Sequence, residues 1–244
     1  MRPELSVVIP VYNEEKRVGA TLRDGISFLR AQRLTAEILA VDDGSTDGTA
    51  RVLRSFRRSL PRGVTLRLLS HGVNRGKGAA VRTGMLASKG RFTLYLDADN
   101  STPLTEWSKV RPFLKDHDVV VGSRAVDRSQ VEVRQPFYRE AMGRIFNLMV
   151  QAVAVPGIRD TQCGFKAFRG DAARRIFQRQ TIERFGFDPE ILFIARRLGC
   201  RLTEVQVKWI NSPDSRVHVF RDSARMLLEL LTIRDNARRG RYDD

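Results

Sequence analysis

Short hydrophobic runs alternate with amphipathic stretches along the first half of the chain. The runs are rich in β-branched residues and end at turn residues, which is typical of buried parallel strands. Strands are predicted at residues 5–11, 37–42, 64–70, 92–96 and 119–122. Helices are predicted between them at residues 16–33, 49–60 and 77–88, and after Pro103. This alternation predicts an α/β fold with a doubly wound, mostly parallel sheet flanked by helices.

The alternation becomes looser after about residue 122. An arginine-rich stretch at 124–144 leads to a predicted apolar helix at 145–155, and further strands are predicted at 164–168 and 202–209. We see no boundary between domains, so we expect a single domain over residues 1–234, with an α+β second half from residue 124. The last residues, 235–244, are expected to be frayed, as chain ends often are.

Composition narrows the possible partners and the location. The net charge of +15 and the pI near 10.9 favour polyanionic partners such as nucleic acid, acidic lipid or phosphorylated substrates, although a solvated arginine-rich surface gives the same balance. No run approaches the ~20 apolar residues of a membrane-spanning helix. The start of the chain lacks the pattern of a secretory signal, and Cys163 and Cys200 are expected to be free thiols. The expected location is cytoplasmic.

Acidic residues directly follow three predicted strands, at positions 13–15, 42–43 and 97–99. Because the carboxyl ends of parallel strands meet at one edge of a sheet, these carboxylates are expected to crowd together and repel unless cations or hydrogen-bond donors balance them. Mg²⁺ or Mn²⁺ is the natural counter-ion for such oxygens. Asp97 and Asp99 can share an ion only if the strand ends there, and Asn100-Ser101-Thr102-Pro103 predicts that turn.

A glycine-rich, basic loop opens the helix predicted at 77–88. Its sequence, Asn74-Arg75-Gly76-Lys77-Gly78, suits the binding of an anion at a helix N-terminus. The glycine spacing matches neither a Walker loop nor the dinucleotide-binding pattern, which counts against kinases and dehydrogenases. Lys77 is expected to support the loop rather than to contact a ligand.

Together these motifs resemble the inverting family-2 glycosyltransferases with the GT-A fold, and within them the dolichyl-phosphate glucose and mannose synthases. The matching segments in the first half are residues 10–14, 41–49, 74–81, 97–99 and 122–124. Residues 160–166, 187–190 and 215–217 resemble the polyprenyl-phosphate branch, especially its glucosyl members. The resemblance extends to about Arg234. It implies that residues 1–123 form a nucleotide-sugar-binding half and residues 124–234 an acceptor-side half.

The resemblance also implies a reaction and the residues that carry it. Glucose or mannose would pass, with inversion, from UDP-glucose or GDP-mannose to a dolichyl-type polyprenyl phosphate, with Mg²⁺ or Mn²⁺ as cofactor. The residues implied to hold the nucleotide sugar are Pro10, Tyr12, Glu14, Val41, Asp43, Asp97 and Ala98. Asp97 and Asp99 are the implied metal ligands, and Asp99 also belongs to the catalytic set with Arg124, Arg216 and Asp188. The two arginines would face phosphate oxygens, whereas Asp188 and Asp160 are candidates for positioning or base work, with helix capping as the alternative.

Two departures from the family pattern matter. Ser101 stands where the mannosyl relatives have a glutamine that helps to bind the metal, and a hydroxyl is a poorer ligand. We expect no counterpart of the amino-terminal membrane anchor of eukaryotic glucosyl relatives, so contact with an anionic membrane is expected to be peripheral. The apolar segments 145–155 and 226–233, with their flanking arginines, could form that surface, or could equally be core-facing helices.

Three other functions are considered. The sugar acceptor could be a soluble glycan or a small-molecule hydroxyl, which would require a general base. A nucleic-acid-binding module would interleave basic and stacking aromatic residues, but the chain has only 4 Tyr and 2 Trp. A regulatory protein that only binds nucleotide sugars is disfavoured by the intact Asp97-Ala98-Asp99 motif.

Overall fold

The strands form where the hydrophobic runs predicted them. The structure is a computed structural model that describes residues 2–58, 60–124, 150–151, 155–210 and 219–243. Its strands are β1 (Leu5–Val11), β2 (Ala36–Asp42), β3 (Val64–Ser70), β4 (Phe92–Leu96), β5 (Val119–Ser123), β6 (Phe165–Arg169) and β7 (Leu202–Gln206). They form one sheet in the order β3-β2-β1-β4-β6-β5-β7. Only β6 is antiparallel to its neighbours, β4 and β5, which confirms a mostly parallel sheet.

Helices connect the parallel strands and cover the sheet. They are α1 (Val18–Ala31), α2 (Thr49–Ser55), α3 (Lys77–Ala87), α4 (Trp107–Val110), α5 (Gly170–Arg179), α6 (Phe187–Arg197) and α7 (Val219–Arg238). The helix expected after Pro103 is broken into a 3₁₀ turn, the short α4 and a second 3₁₀ turn at Arg111–Lys115. Pro112 explains the break, because proline lacks the N–H that a continuous helix needs.

The core has one layer on each face of the sheet, as a doubly wound fold requires. Successive residues of β1 point to opposite faces, so Val8 packs with α3 residues such as Val81, whereas Val7 and Ile9 pack with Leu22 of α1. Strands β6 and β7 come from the second half of the chain and join the same sheet. In the described ranges, no helix combines the length and the apolar character needed to cross a bilayer.

The prediction of a frayed end at 235–244 is wrong for the described residues. Asn236 and Tyr242 are buried, and the Tyr242 hydroxyl donates a 2.7 Å hydrogen bond to the Glu190 carboxylate. Asn236 in turn donates to Thr181. The partners of this end lie on and before α6, far away in sequence, so local composition could not reveal them.

Two predictions lie outside the described residues. The apolar helix at 145–155 falls mostly there, and Arg216 falls there entirely.

Candidate active site

The predicted site residues that follow parallel strands lie together at the carboxyl ends of those strands, which form one edge of the sheet. Tyr12 and Glu14 follow β1, Asp43 follows β2, and Asp97 follows β4. Arg124 follows β5, which is parallel to β7 at the far side of β6. This is the edge at which open α/β sheets bind ligands.

Asp43 holds the glycine-rich loop in place. Its carboxylate accepts hydrogen bonds from the backbone N–H groups of Arg75 at 3.0 Å and Gly76 at 2.7 Å. Nδ1 of His71 lies 2.7 Å from the same carboxylate, and Nε2 of His71 lies 3.0 Å from the Thr83 hydroxyl on α3. Gly76 has a φ of 120°, a conformation that favours glycine. The anionic group that the loop holds in this structure is the protein's own Asp43, and the binding of an anionic ligand there stays a prediction.

We expect Asp43→Ala to loosen this loop and to weaken nucleotide binding. The buried N–H group of Gly76 and the partly buried N–H group of Arg75 would lose their acceptor, and an unsatisfied buried group costs about 1–3 kcal/mol. The amides of Arg75 and Gly76 should exchange hydrogen faster, and the UDP dissociation constant should rise about tenfold. Hydrogen exchange and calorimetric titration measure the two effects. The exposed Asp116→Ala is the charge-matched control, and unchanged exchange in Asp43→Ala would refute the clamp.

The acidic cluster after β1 is neutralised by the protein itself. Glu14 forms a two-point ion pair with Arg17 at 2.6 and 2.7 Å, and Glu15 pairs with Arg51 at 2.7 Å. Asn13 accepts a 2.8 Å hydrogen bond from the Thr46 backbone N–H and so joins β1 to the loop after β2. The carboxylates after β4 are therefore the ones for which an external counter-ion is still expected.

Asp97 and Asp99 lie where β4 gives way to a turn. The Ser101 backbone N–H donates a 3.0 Å hydrogen bond to Asp99, which forms that turn. The Asp97 backbone N–H donates to the Gly164 carbonyl at 3.1 Å. A Cβ atom on Gly164 would lie only 2.0 Å from Oδ2 of Asp97, so the absence of a side chain at this position makes room for the carboxylate.

Lys77 reaches from the glycine-rich loop to Asp97. It is the first residue of α3, and its Nζ lies 2.6 Å from Oδ1 of Asp97. Burial alone would lower the pKa of Lys77, but Asp97, Asp188 and Asp99 outweigh it and raise the pKa to about 12. Lys77 is therefore a charged member of the site.

Asp188, a predicted catalytic residue, belongs to a buried network beneath the site. It lies in the first turn of α6, and its Oδ1 is 2.5 Å from Nζ of the fully buried Lys166. The Tyr95 hydroxyl also donates to it, and burial followed by Asp188 raises the pKa of Tyr95 well above its usual value. With 2% of its side chain exposed, Asp188 is better placed to support the site than to contact a substrate.

Arg124 is oriented by Asp160. Its Nε and Nη2 each lie 2.7 Å from one carboxylate oxygen of Asp160, and its backbone N–H donates to the same carboxylate. Burial would raise the pKa of Asp160, but Arg124 outweighs burial and lowers it. The guanidinium also stacks over the Trp209 ring, 5.4 Å from its centroid. The pair therefore stays charged and holds Arg124 at the edge of the sheet.

Three predicted donor-binding residues are buried. Pro10 and Val41 are paired in register between β1 and β2, and the Val41 side chain packs beneath Gly84 of α3. Val41 is fully inaccessible, so its side chain cannot contact a nucleoside in this structure. Ala98 is nearly buried, and its carbonyl accepts a hydrogen bond from Thr21. Tyr12, in contrast, is 39% exposed.

Sequence reasoning missed several residues that shape the site: His71, Gly164, Lys166, Tyr95 and Trp209. Each acts through a contact with a segment far away in the chain. Gly164 carried the best available signal, because a glycine beside a strand often marks a close approach of another group.

A divalent cation fits the Asp97–Asp99 pair. Carboxylate oxygens are the ligands that Mg²⁺ and Mn²⁺ prefer, and Gly164 leaves the space that the Asp97 carboxylate occupies. Among the residues described, no group of three or more His, Cys, Asp or Glu could hold a metal ion. Two carboxylates suffice for Mg²⁺ when substrate phosphates and water complete the coordination.

Comparison with known proteins gives a consistent result. The sequence model described as Glycosyl transferase family 2 matches residues 6–177. A protein of Dictyostelium discoideum named dolichyl-phosphate beta-glucosyltransferase is 38% identical over 242 residues, which cover 94% of this chain and 73% of that protein. The Homo sapiens protein of the same name is 35% identical over 244 residues, covering 95% and 75%.

A solved structure shares the fold. It is the mannosyltransferase PcManGT from Pyrobaculum calidifontis, in complex with GDP-Man and Mn²⁺, and its TM-score is 0.64 at 21% identity. The likeness covers 95% of this chain and 64% of that chain, so this chain spans less than two thirds of the solved protein. At this identity the comparison shows the fold alone.

Proposed function

Because this chain belongs to glycosyltransferase family 2 and has the GT-A fold, we propose that it transfers glucose from a nucleotide sugar to a dolichyl-type polyprenyl phosphate. The observation that carries the proposal is the juxtaposition of Asp97 and Asp99 with Lys77 at the carboxyl edge of the sheet. A site for a diphosphate and a divalent cation needs carboxylates for the cation and a positive group for the diphosphate. The name of the relatives, dolichyl-phosphate beta-glucosyltransferase, supports glucose as the sugar and a lipid phosphate as the acceptor. UDP-glucose is the first donor to test, and GDP-mannose is the alternative.

The donor lies along this edge in the proposal. The exposed ring of Tyr12 faces the nucleoside, while Glu14 and Asp43 shape the loops around it. Asp97 and Asp99 would hold Mg²⁺ or Mn²⁺. When bound, the ion supplies positive charge that stabilises the departing diphosphate.

Transfer is a direct displacement with inversion. An oxygen of the acceptor phosphate attacks the anomeric carbon, and the bond from that carbon to the diphosphate oxygen breaks on the opposite face. A phosphate monoester is already anionic at neutral pH because its second pKa is about 6. No side chain therefore has to remove a proton, in keeping with the ion pairs that Asp188 and Asp160 form with Lys166 and Arg124.

Arg124 neutralises phosphate oxygens in this scheme. Asp160 accepts hydrogen bonds from Nε and from one Nη2 hydrogen of Arg124. A guanidinium carries five N–H donors in a fixed plane. Asp160 thus fixes the orientation of a group that has further donors for a phosphate. Arg216 is proposed to act on phosphate oxygens as well.

A soluble hydroxyl acceptor is the second candidate. It would need a general base, and the two carboxylates considered for that task are both held in ion pairs. The acceptor assay below separates this candidate from the first.

The direct test is a donor and acceptor screen. Purified protein is incubated with radiolabelled UDP-glucose or GDP-mannose, Mn²⁺ or Mg²⁺, and a short-chain polyprenyl phosphate, and the product is extracted into organic solvent. We expect label in the organic phase with UDP-glucose and the phosphorylated lipid, and none with the unphosphorylated polyprenol. Label that enters only water-soluble products would contradict the lipid acceptor.

Membrane contact is proposed through α7. Leu228 and Leu231 are each 65% exposed on this helix, and Arg234 and Arg238 follow on the same helix. Exposed leucines beside arginines suit a surface of anionic lipid. The protein should float with anionic liposomes at low salt and much less at 1 M salt, where the Debye length is about 3 Å.

The two leucines are tested by substitution. Leu228→Gln with Leu231→Gln should reduce flotation several-fold, whereas Val73→Gln, which alters a similarly exposed apolar residue on a loop outside α7, should not. Equal recovery with neutral and anionic vesicles would rule out an electrostatic contribution.

A further inference from the structure

Lys77 is placed where a helix disfavours a cation. It is the first residue of α3, and the N-terminus of a helix carries partial positive charge. The position is tolerable because three carboxylates, Asp97, Asp188 and Asp99, act on the ammonium group. Asp188 is committed to the buried Lys166, so the direct partner of Lys77 is Asp97.

Lys77 pairs with the carboxylate that a metal ion would need. Nζ of Lys77 lies 2.6 Å from Oδ1 of Asp97, and only 21% of the lysine side chain and 34% of the aspartate side chain are exposed. Gly164 leaves room for this carboxylate, because a Cβ there would stand 2.0 Å from Oδ2 and 2.6 Å from Oδ1. A divalent ion that binds Asp97 therefore meets the ammonium group at close range, and like charges there repel through a partly desolvated space.

We propose that Lys77 is an internal counter-ion that opposes metal binding to the empty site and couples the metal to the nucleotide. This inference rests on the proposed function of the Asp97–Asp99 pair. Without a nucleotide, Lys77 neutralises Asp97, and a metal ion must displace it. A nucleoside diphosphate brings negative charge to which the ammonium group can turn, and Asp97 is then released to the metal.

The proposal has a definite thermodynamic form. If the nucleotide increases the affinity for metal, the metal increases the affinity for the nucleotide by the same factor. Removal of the Lys77 charge should strengthen metal binding in the absence of nucleotide. The factor by which the nucleotide increases the metal affinity should therefore become smaller. If Lys77 merely supported the loop, its removal would not strengthen metal binding, because loss of support would weaken that binding.

The test measures Mn²⁺ binding by the paramagnetic resonance signal of the free ion, with and without UDP. Lys77→Met is expected to bind Mn²⁺ about tenfold more tightly than the wild type without UDP, within the usual range of coupling of about 5- to 150-fold. With UDP the difference should shrink. Lys77→Gln serves the same purpose if the methionine variant does not fold.

Lys109→Met is the matched control. Lys109 also pairs with a carboxylate, Glu106, at 2.7 Å, so this change removes one lysine charge from a similar ion pair outside the site. It should leave Mn²⁺ affinity unchanged. Equal or weaker Mn²⁺ binding by both Lys77 variants without UDP would overturn the proposal while the metal site stands. Absence of Mn²⁺ binding to the wild type, with and without UDP, would instead reject the metal site itself.

Discussion

Replacement of Asp99 by asparagine is expected to lower the proposed glucosyl transfer by about a thousandfold. Asp99 lies at the end of β4 and is proposed to hold the ion that stabilises the departing diphosphate, and removal of one preorganised electrostatic group costs about 10²–10³ in turnover. An amide keeps the oxygen that accepts the Ser101 N–H, so the turn should survive. Steady-state turnover at saturating donor, together with thermal unfolding, measures the two properties separately.

The control for Asp99→Asn is a nearby carboxylate that has no proposed role in catalysis. Asp24 is exposed on α1 and accepts a 2.8 Å hydrogen bond from the Asn100 side chain. Asp24→Asn removes the same charge close to the same turn and should retain activity. If Asp99→Asn turned over at the wild-type rate, or if the wild type were active in excess chelator, metal dependence would be refuted.

Gly164→Ala is expected to lower transfer by about a hundredfold without unfolding the protein. The φ of Gly164 is outside the left-handed region, so the backbone accepts alanine. The new Cβ collides with the Asp97 carboxylate, the mobile end of a side chain, and the carboxylate must move. A displacement of about 1 Å in a catalytic group can cost about 10²-fold. Turnover should fall together with Mn²⁺ affinity in the presence of UDP.

Gly72→Ala is the matched control for this steric argument. A Cβ at Gly72 would meet no atom within 4 Å, although this glycine lies close to the loop that Asp43 clamps. It should leave both turnover and Mn²⁺ affinity unchanged. If Gly164→Ala turned over at the wild-type rate, displacement of the Asp97 carboxylate would be tolerated. The role assigned to Gly164 would then be refuted.

The strands and the edge at which they place acidic residues could be predicted from the sequence. β-branched runs identify buried strands, and parallel pairing then brings Asp43, Asp97 and Asp99 to one edge, whatever the details of packing. The predicted GT-A fold and family membership are confirmed on this basis.

The partners of these residues could not be predicted. Nothing near Asp43 in the sequence indicates that the loop's amides bind its carboxylate, and nothing near Lys77 indicates that its ammonium group pairs with Asp97. The burial of Tyr242 against Glu190 is a contact of the same kind. Local patterns report which face of an element is apolar, whereas these contacts depend on how distant elements pack.

The antiparallel strand β6 has a consequence for how the chain folds during synthesis. β6 separates β4 from β5, and residues 97–164 must be made before it exists. Both sheet neighbours of β5, β6 and β7, come later in the chain, so β5 leaves the ribosome without a strand to pair with. Because synthesis adds about 5–20 residues per second, the N–H and C=O groups along one side of β4 stay unpaired for several seconds. Strands β1–β4 can pair early, but β4, which leads to Asp97, gains its second neighbour only when translation has passed residue 169.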